Sequence, residues 1–144
     1  MFSKACEYAI KAMIFISSKS DGNCVSLKDI AKGTNSPEAF TAKTLQKLSR
    51  TEILSSIKGP NGGFFLSQSP SDIMLSEIVI AIDGDALFKG CALGLSECSE
   101  TSPCPVHDKF KAIKDDLTSM CHNTSLAETS SKLTAGTAFL KTEI

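Results

Sequence analysis

The chain has 144 residues, 42% of them apolar, with 15 Lys/Arg against 16 Asp/Glu and a net charge of −1. That suits one domain, or a small domain with an appendage, and is apolar enough for a buried core. No uncharged apolar run approaches the roughly 18 residues of a membrane span. Lys4, Glu7 and Lys11 interrupt the N-terminal apolar stretch, so no signal peptide is expected and the expected location is cytoplasmic. Six cysteines in that compartment suggest metal or redox chemistry before structural disulfides. The charge is unevenly divided. Residues 1–67 carry nine Lys/Arg and five Asp/Glu (+4), whereas residues 68–144 carry six and eleven (−5).

Phe2, Cys6, Ala9, Ile10, Met13 and Ile16 recur at helical spacing, which predicts an amphipathic helix over residues 1–18 with Cys6 in the core. A polar loop over 17–23 follows, and Cys24 stands without a ligand pattern. Ser26 is placed to cap a helix, with Asp29 three residues on, and Leu27, Ile30 and Ala31 share one face. Gly33-Thr34-Asn35 reads as the turn of a helix-turn-helix. Ser36 is placed to cap the second helix, Pro37 fits its first position, and the helix is expected to run to about residue 50. Residues 53–58 and 64–66 read as strands around Gly59-Pro60-Asn61-Gly62-Gly63, where Asn-Gly favours a turn of positive φ. A basic helix followed by a tight hairpin is the layout of a winged helix-turn-helix. Lys43, Lys47, Arg50 and Lys58 lie around its expected DNA surface, where counterion release drives affinity.

A polar loop over 67–72 leads to a short helix, 75–82, that buries Ile78, Val79 and Ile82. Cys91, Cys98 and Cys104 then occur as C-x6-C-x5-C, with His107 three residues further. This segment has no periodicity. A loop that long in a compact domain is usually functional, and coordination would supply order that packing cannot. Three thiolates and an imidazole suit zinc or an iron–sulfur cluster, although the gaps exceed the usual zinc pairs. Val106, Phe110, Ile113, Leu117 and Met120 form a narrow seam on a helix expected over 105–120, which reads as a dimerisation surface. One or two more helical turns are expected over 125–132, and residues 133–144 are expected to be a mobile tail.

With those motifs on the page, the chain resembles the IscR/NsrR-type family of bacterial winged helix-turn-helix regulators. The resemblance covers about residues 1–130. It rests on CEYAIKAM, SLKDIA, KTLQKLSRTEILSSIKGPNGGFFL, LSEIVIAID, the three cysteines and the long helix after them. It implies a mainly α fold with a small β-hairpin wing and a long C-terminal dimerisation helix. The implied division is a DNA-binding part with its connector helix over 1–83, a sensory loop over 84–104, a dimerisation region over 105–132 and the tail.

It also implies a homodimer on a palindromic double-stranded DNA site, with no membrane. Its cofactor would be a 2Fe–2S or 4Fe–4S cluster responding to iron–sulfur status, nitric oxide or redox state. Cys91, Cys98 and Cys104 match the family cysteines. His107 and Glu7 match two alternative fourth ligands, the second reaching the partner subunit's cluster. The first gap is six residues where the family commonly has five, which leaves the cluster type open. The DNA contacts expected from this layout are Ser36, Glu38, Thr41, Lys43 and Thr44, with Lys47 and Lys58 on phosphates and Asn61 at the wing tip. The alternative is a cluster-free or zinc-bearing repressor of the same family. An enzyme is not expected, because no phosphate loop, nucleophile elbow or metalloprotease motif is present.

Overall fold

The computed structural model describes residues 1–19 and 23–141. Helix α1 (Lys4–Ser18) is the central element and packs on α2 (Leu27–Thr34), α3 (Glu38–Leu48), α4 (Leu75–Asp83) and α7 (Leu126–Thr134). Cys6, Ala9, Ala12, Met13, Ile16 and Ser17 form its buried stripe. Four helices surround α1 because its apolar stripe is wide and small residues let neighbours approach closely. The polar loop expected over 17–23 starts later, since Ser17 and Ser18 are helical; residues 20–22 of it lie outside the described residues.

Ser26 caps α2 as expected, accepting the Asp29 N–H at 3.1 Å. The turn differs from the expected one. Gly33 and Thr34 complete α2, and Asn35 closes it in the left-handed conformation at φ 50°. Thr34 stays helical because its hydroxyl donates back to the Ile30 carbonyl at 2.7 Å. Ser36 does not cap α3. Its backbone N–H closes onto the Ala31 carbonyl and its hydroxyl onto Thr34, so Pro37 becomes the N-cap without a side-chain bond.

Strands β1 (Leu54–Ile57) and β2 (Gly63–Leu66) pair antiparallel, with Leu54 opposite Leu66 and Ile57 opposite Gly63. The connecting turn is not the expected Asn-Gly type. The Gly62 N–H bonds the Gly59 carbonyl at 3.0 Å, which puts Pro60 and Asn61 at its centre. Proline fits the first central position of such a turn, and the positive φ values fall on Gly59 and Gly63. Val25 pairs with Phe64 on the open side of β2 through two 2.8 Å bonds. A Cβ on Gly63 would stand 2.3 Å from the Val25 carbonyl oxygen. Gly63→Ala is therefore expected to destabilise the protein by about 2 kcal/mol in urea titration, since overpacking against backbone cannot relax by rotamer change.

A short 3-10 turn (Pro70–Asp72) precedes α4. Helix α5 (Ala86–Lys89), the irregular segment 90–106 and α6 (His107–Asn123) follow. Helix α6 starts two residues later than expected and runs three further. A backbone bridge then fixes its end, with Leu75 N–H on Thr124 and Leu126 N–H on Ile73, at 3.0 and 2.9 Å. Helix α7, longer than the one or two turns expected, returns to α1, where Ser130 and Ser17 share a buried hydroxyl bond of 2.9 Å. The tail expected from 133 is structured at its start. Residues 133 and 134 belong to α7, and the Thr137 and Ala138 N–H groups close onto the Lys132 carbonyl. Residues 142–144 of that tail lie outside the described residues.

Candidate functional site

Two sites arise from this frame. The first is the outer side of α3 together with the wing. Helix α3 buries Thr41, Thr44, Leu45 and Leu48, a face at i, i+3, i+4 and i+7. Lys43 and Gln46 on the opposite face, Glu38 at the start of the helix and Arg50 just past its end are exposed to solvent. A cleft of about 670 Å³ runs between this face, the start of α2 and the wing, lined among others by Lys28, Glu38, Gln46, Arg50 and Lys58. Its cations can meet phosphates while the α3 face enters a groove.

The expected DNA residues divide sharply. Glu38, Lys43, Lys58 and Asn61 are exposed on this side. Cys24 supports Asn61 from below, its thiol donating to the Asn61 carbonyl at 3.4 Å. Thr41 and Thr44 are corrections: they are 1% and 5% exposed, and their hydroxyls donate to the Pro37 and Phe40 carbonyls. They fill the core and cannot reach bases. Ser36 is occupied in the turn, as described. Lys47 is directed otherwise than expected in the free chain. It extends to α4 and donates to the Ile82 carbonyl at 2.9 Å, where unpaired carbonyls at a helix end attract an ammonium. Lys28 and Gln46, which were not among the expected contacts, also line the cleft. The helical period that buries Thr41 and Leu45 also sets Gln46 outward, so that signal was available.

The second site is a cavity of about 450 Å³ between α5, the 90–106 segment and α6. Cys91, Cys98, Cys104 and His107 all line it. His107 is buried at the first turn of α6, its Nδ1 3.5 Å from the Cys98 thiol. Cys91 lies beside Cys104, and its pKa is lowered by backbone N–H groups of Leu93 and Leu95, then by Cys104. Those N–H groups stabilise a thiolate, the form that binds metal. The donors thus stand as two pairs. Among the described residues, no three His, Cys, Asp or Glu side chains converge as one metal ion requires.

Glu7 does not line this cavity in its own chain; it pairs with Lys4 at 3.3 Å on the exposed side of α1. The remaining cysteines differ chemically. Burial, with Asp83 nearby, pushes the Cys6 thiol up to about 12, and burial raises Cys121 as well. Both are core residues. Beside the cavity, Phe110, Ile113 and Met120 of the seam are 44%, 62% and 45% exposed. Leu117 packs against the core.

A helix-turn-helix with a β-hairpin wing, on a mainly helical body, defines a winged-helix DNA-binding regulator. The family model described as "Rrf2: Iron-dependent Transcriptional regulator" matches residues 2–131. The chain belongs to the Rrf2 family. It is 33% identical over 131 residues to a putative HTH-type transcriptional regulator of Aquifex aeolicus, covering 89% of this chain and 90% of the relative. It is 27% identical over 121 residues to the HTH-type transcriptional regulator IscR of Escherichia coli, covering 84% and 74%.

Solved structures share the fold. CymR (YrzC), the global cysteine regulator of B. subtilis, superposes with a TM-score of 0.75 at 23% identity, covering 91% of this chain and 96% of that one. T. potens IscR does so at 0.75 and 18%, covering 96% and 91%. These relatives are transcription regulators, and this chain is a regulator rather than an enzyme. Among the described residues, no helix is long and apolar enough to cross a membrane.

Proposed function

We propose that the protein is a cytoplasmic, homodimeric repressor or activator that reads a palindromic DNA site and senses iron–sulfur or redox status through its cysteine cavity. The observation that carries this reading is the meeting of Cys91, Cys98, Cys104 and His107 at one cavity, directly below the exposed seam of α6. Their donor chemistry fits an iron–sulfur cluster. Two ligand pairs suit a 2Fe–2S group, with two ligands on each iron, better than one tetrahedral zinc. His107 is the fourth donor that the chain itself supplies.

When bound, the cluster would supply an electron- and nitric-oxide-responsive centre. The protein's own residues do the rest. Leu93 and Leu95 N–H groups lower the Cys91 pKa and so favour its thiolate, and Lys114 donates to the Gly90 carbonyl at 3.4 Å, keeping the segment against α6. In this reading residues 84–104 sense and residues 105–132 dimerise. Residues 1–83 read DNA, with Glu38, Lys43 and Gln46 facing bases and Lys28, Arg50 and Lys58 facing phosphates. A second copy covering Phe110, Ile113 and Met120 would present two α3 helices about 34–36 Å apart, one turn of DNA.

Protein purified without oxygen is expected to be coloured by sulfur-to-iron charge transfer and to contain iron and sulfide in equal amounts. Cys91→Ala should abolish both, while Glu7→Ala should leave them. Zinc alone, or colourless protein that resists reconstitution, would replace this reading with the zinc or thiol repressor and leave the DNA-binding part standing.

A further inference from the structure

The C-terminal turn of α4 joins three parts of the molecule. Lys47, in the last turn of α3, donates its ammonium to the Ile82 carbonyl at 2.9 Å. The next residue, Asp83, holds the start of α1: Ser3 N–H donates to its Oδ2 at 3.0 Å, and the Ser3 hydroxyl donates to Oδ1. Gly84 follows at φ +76°, where no neighbouring atom would oppose a Cβ. The chain turns there into α5, whose Phe88 is buried and stacks edge-on against His122 of α6 at 5.2 Å. Cys91 comes two residues after α5 ends. This side-chain hydrogen bond between α3 and α4 thus sits at the turn into the cysteine segment.

We propose that Lys47 is a positioning residue for DNA reading: its bond to the Ile82 carbonyl fixes α3 to the root of the cysteine segment and couples the two. This rests on the DNA-reading function proposed above. A lysine on the recognition helix would ordinarily be read as a phosphate contact. Here its ammonium donates inside the chain, to the Ile82 carbonyl that the end of α4 leaves without a helical partner. Such a charge-assisted bond is short-ranged and directional. Movement of the α4 end therefore tilts α3, whereas a lysine on DNA would transmit nothing to the hinge.

Lys47→Met keeps the apolar stem and removes the donor. Amide exchange is measured on the free protein, and binding to a duplex enriched from a random pool by the wild type is measured over a series of salt concentrations. Lys58→Ala is the reference for a phosphate contact. The expected result is faster exchange at Gly84, Phe88 and Lys89 in Lys47→Met, with circular dichroism unchanged. Affinity should fall roughly tenfold, in the range of ordinary intramolecular coupling, with the salt slope as in wild type. Cys98→Ala should shift affinity less in the Lys47→Met background than in wild type.

A slope reduced by about 0.9, as for one lost phosphate contact, with unchanged exchange, overturns the proposal. So does unchanged exchange with unchanged affinity. If the wild type enriches no duplex, the DNA reading fails, and exchange alone then decides whether Lys47 holds the hinge. If Cys98→Ala has no effect on wild-type affinity, sensing through the cavity fails, while exchange and salt slope still judge Lys47.

Discussion

Phe110→Glu with Ile113→Glu is expected to yield a folded monomer whose affinity for a palindromic duplex falls by about a hundredfold or more. The two side chains are 44% and 62% exposed in the single chain, so charge there costs the fold little. In the proposed dimer they would lie at the centre of the contact, where buried glutamates facing each other repel and lose water. Losing the second subunit turns a two-site interaction into a one-site interaction. Linked sites commonly gain about 10²–10⁴ in avidity over one alone. Sedimentation velocity and a fluorescence titration on one duplex test both halves. A variant that stays dimeric would move the interface off α6. A monomer that keeps full affinity would remove the need for two subunits.

Leu45→Ala is expected to destabilise the protein by about 3 kcal/mol, seen as a lower urea midpoint with an unchanged slope. Leu45 is 0% exposed and belongs to the same buried cluster as Met13, Ile30 and Leu48. Truncating such a leucine removes transfer energy and leaves a cavity that helices fixed on several sides close poorly, a combined loss of about 2–5 kcal/mol. Against a typical total of about 5–15 kcal/mol, that leaves a substantial unfolded population on warming. The same substitution at Gln46, one residue further but on the outer face, should leave the midpoint nearly unchanged. The contrast tests which side of α3 is turned to the core.

The winged-helix architecture was legible because its signals are local. The Ser26 cap, the helical spacing of α1 and the Gly-rich hairpin each depend on neighbours within a few residues. The candidate site was legible in part. The cysteines and His107 stood out by residue type, and the structure brings them to one cavity. Which lysines face outward was not legible by type alone. Lys43 and Lys47 read alike, yet Lys47 meets the end of α4, 35 residues away. Thr41 and Thr44 were misread because a hydroxyl on a recognition helix suggests base contact. Their spacing with Leu45 and Leu48 marks the buried face, and a threonine is buried cheaply when it bonds its own helix carbonyl. The docking of α7 on α1 was invisible, since it joins residues more than a hundred positions apart.

That docking bears on how the chain is made. The face of α1 that meets α7 is synthesised before the helix-turn-helix and wing, yet its cover lies at 126–134. The hydroxyl pair of Ser17 and Ser130 spans 113 positions. During translation the helix-turn-helix and wing can form early, because their contacts are local. They cannot seal until the ribosome has released α7. A nascent chain paused in the cysteine segment would carry a shaped DNA reader with a bare apolar flank, open to chaperones and proteases.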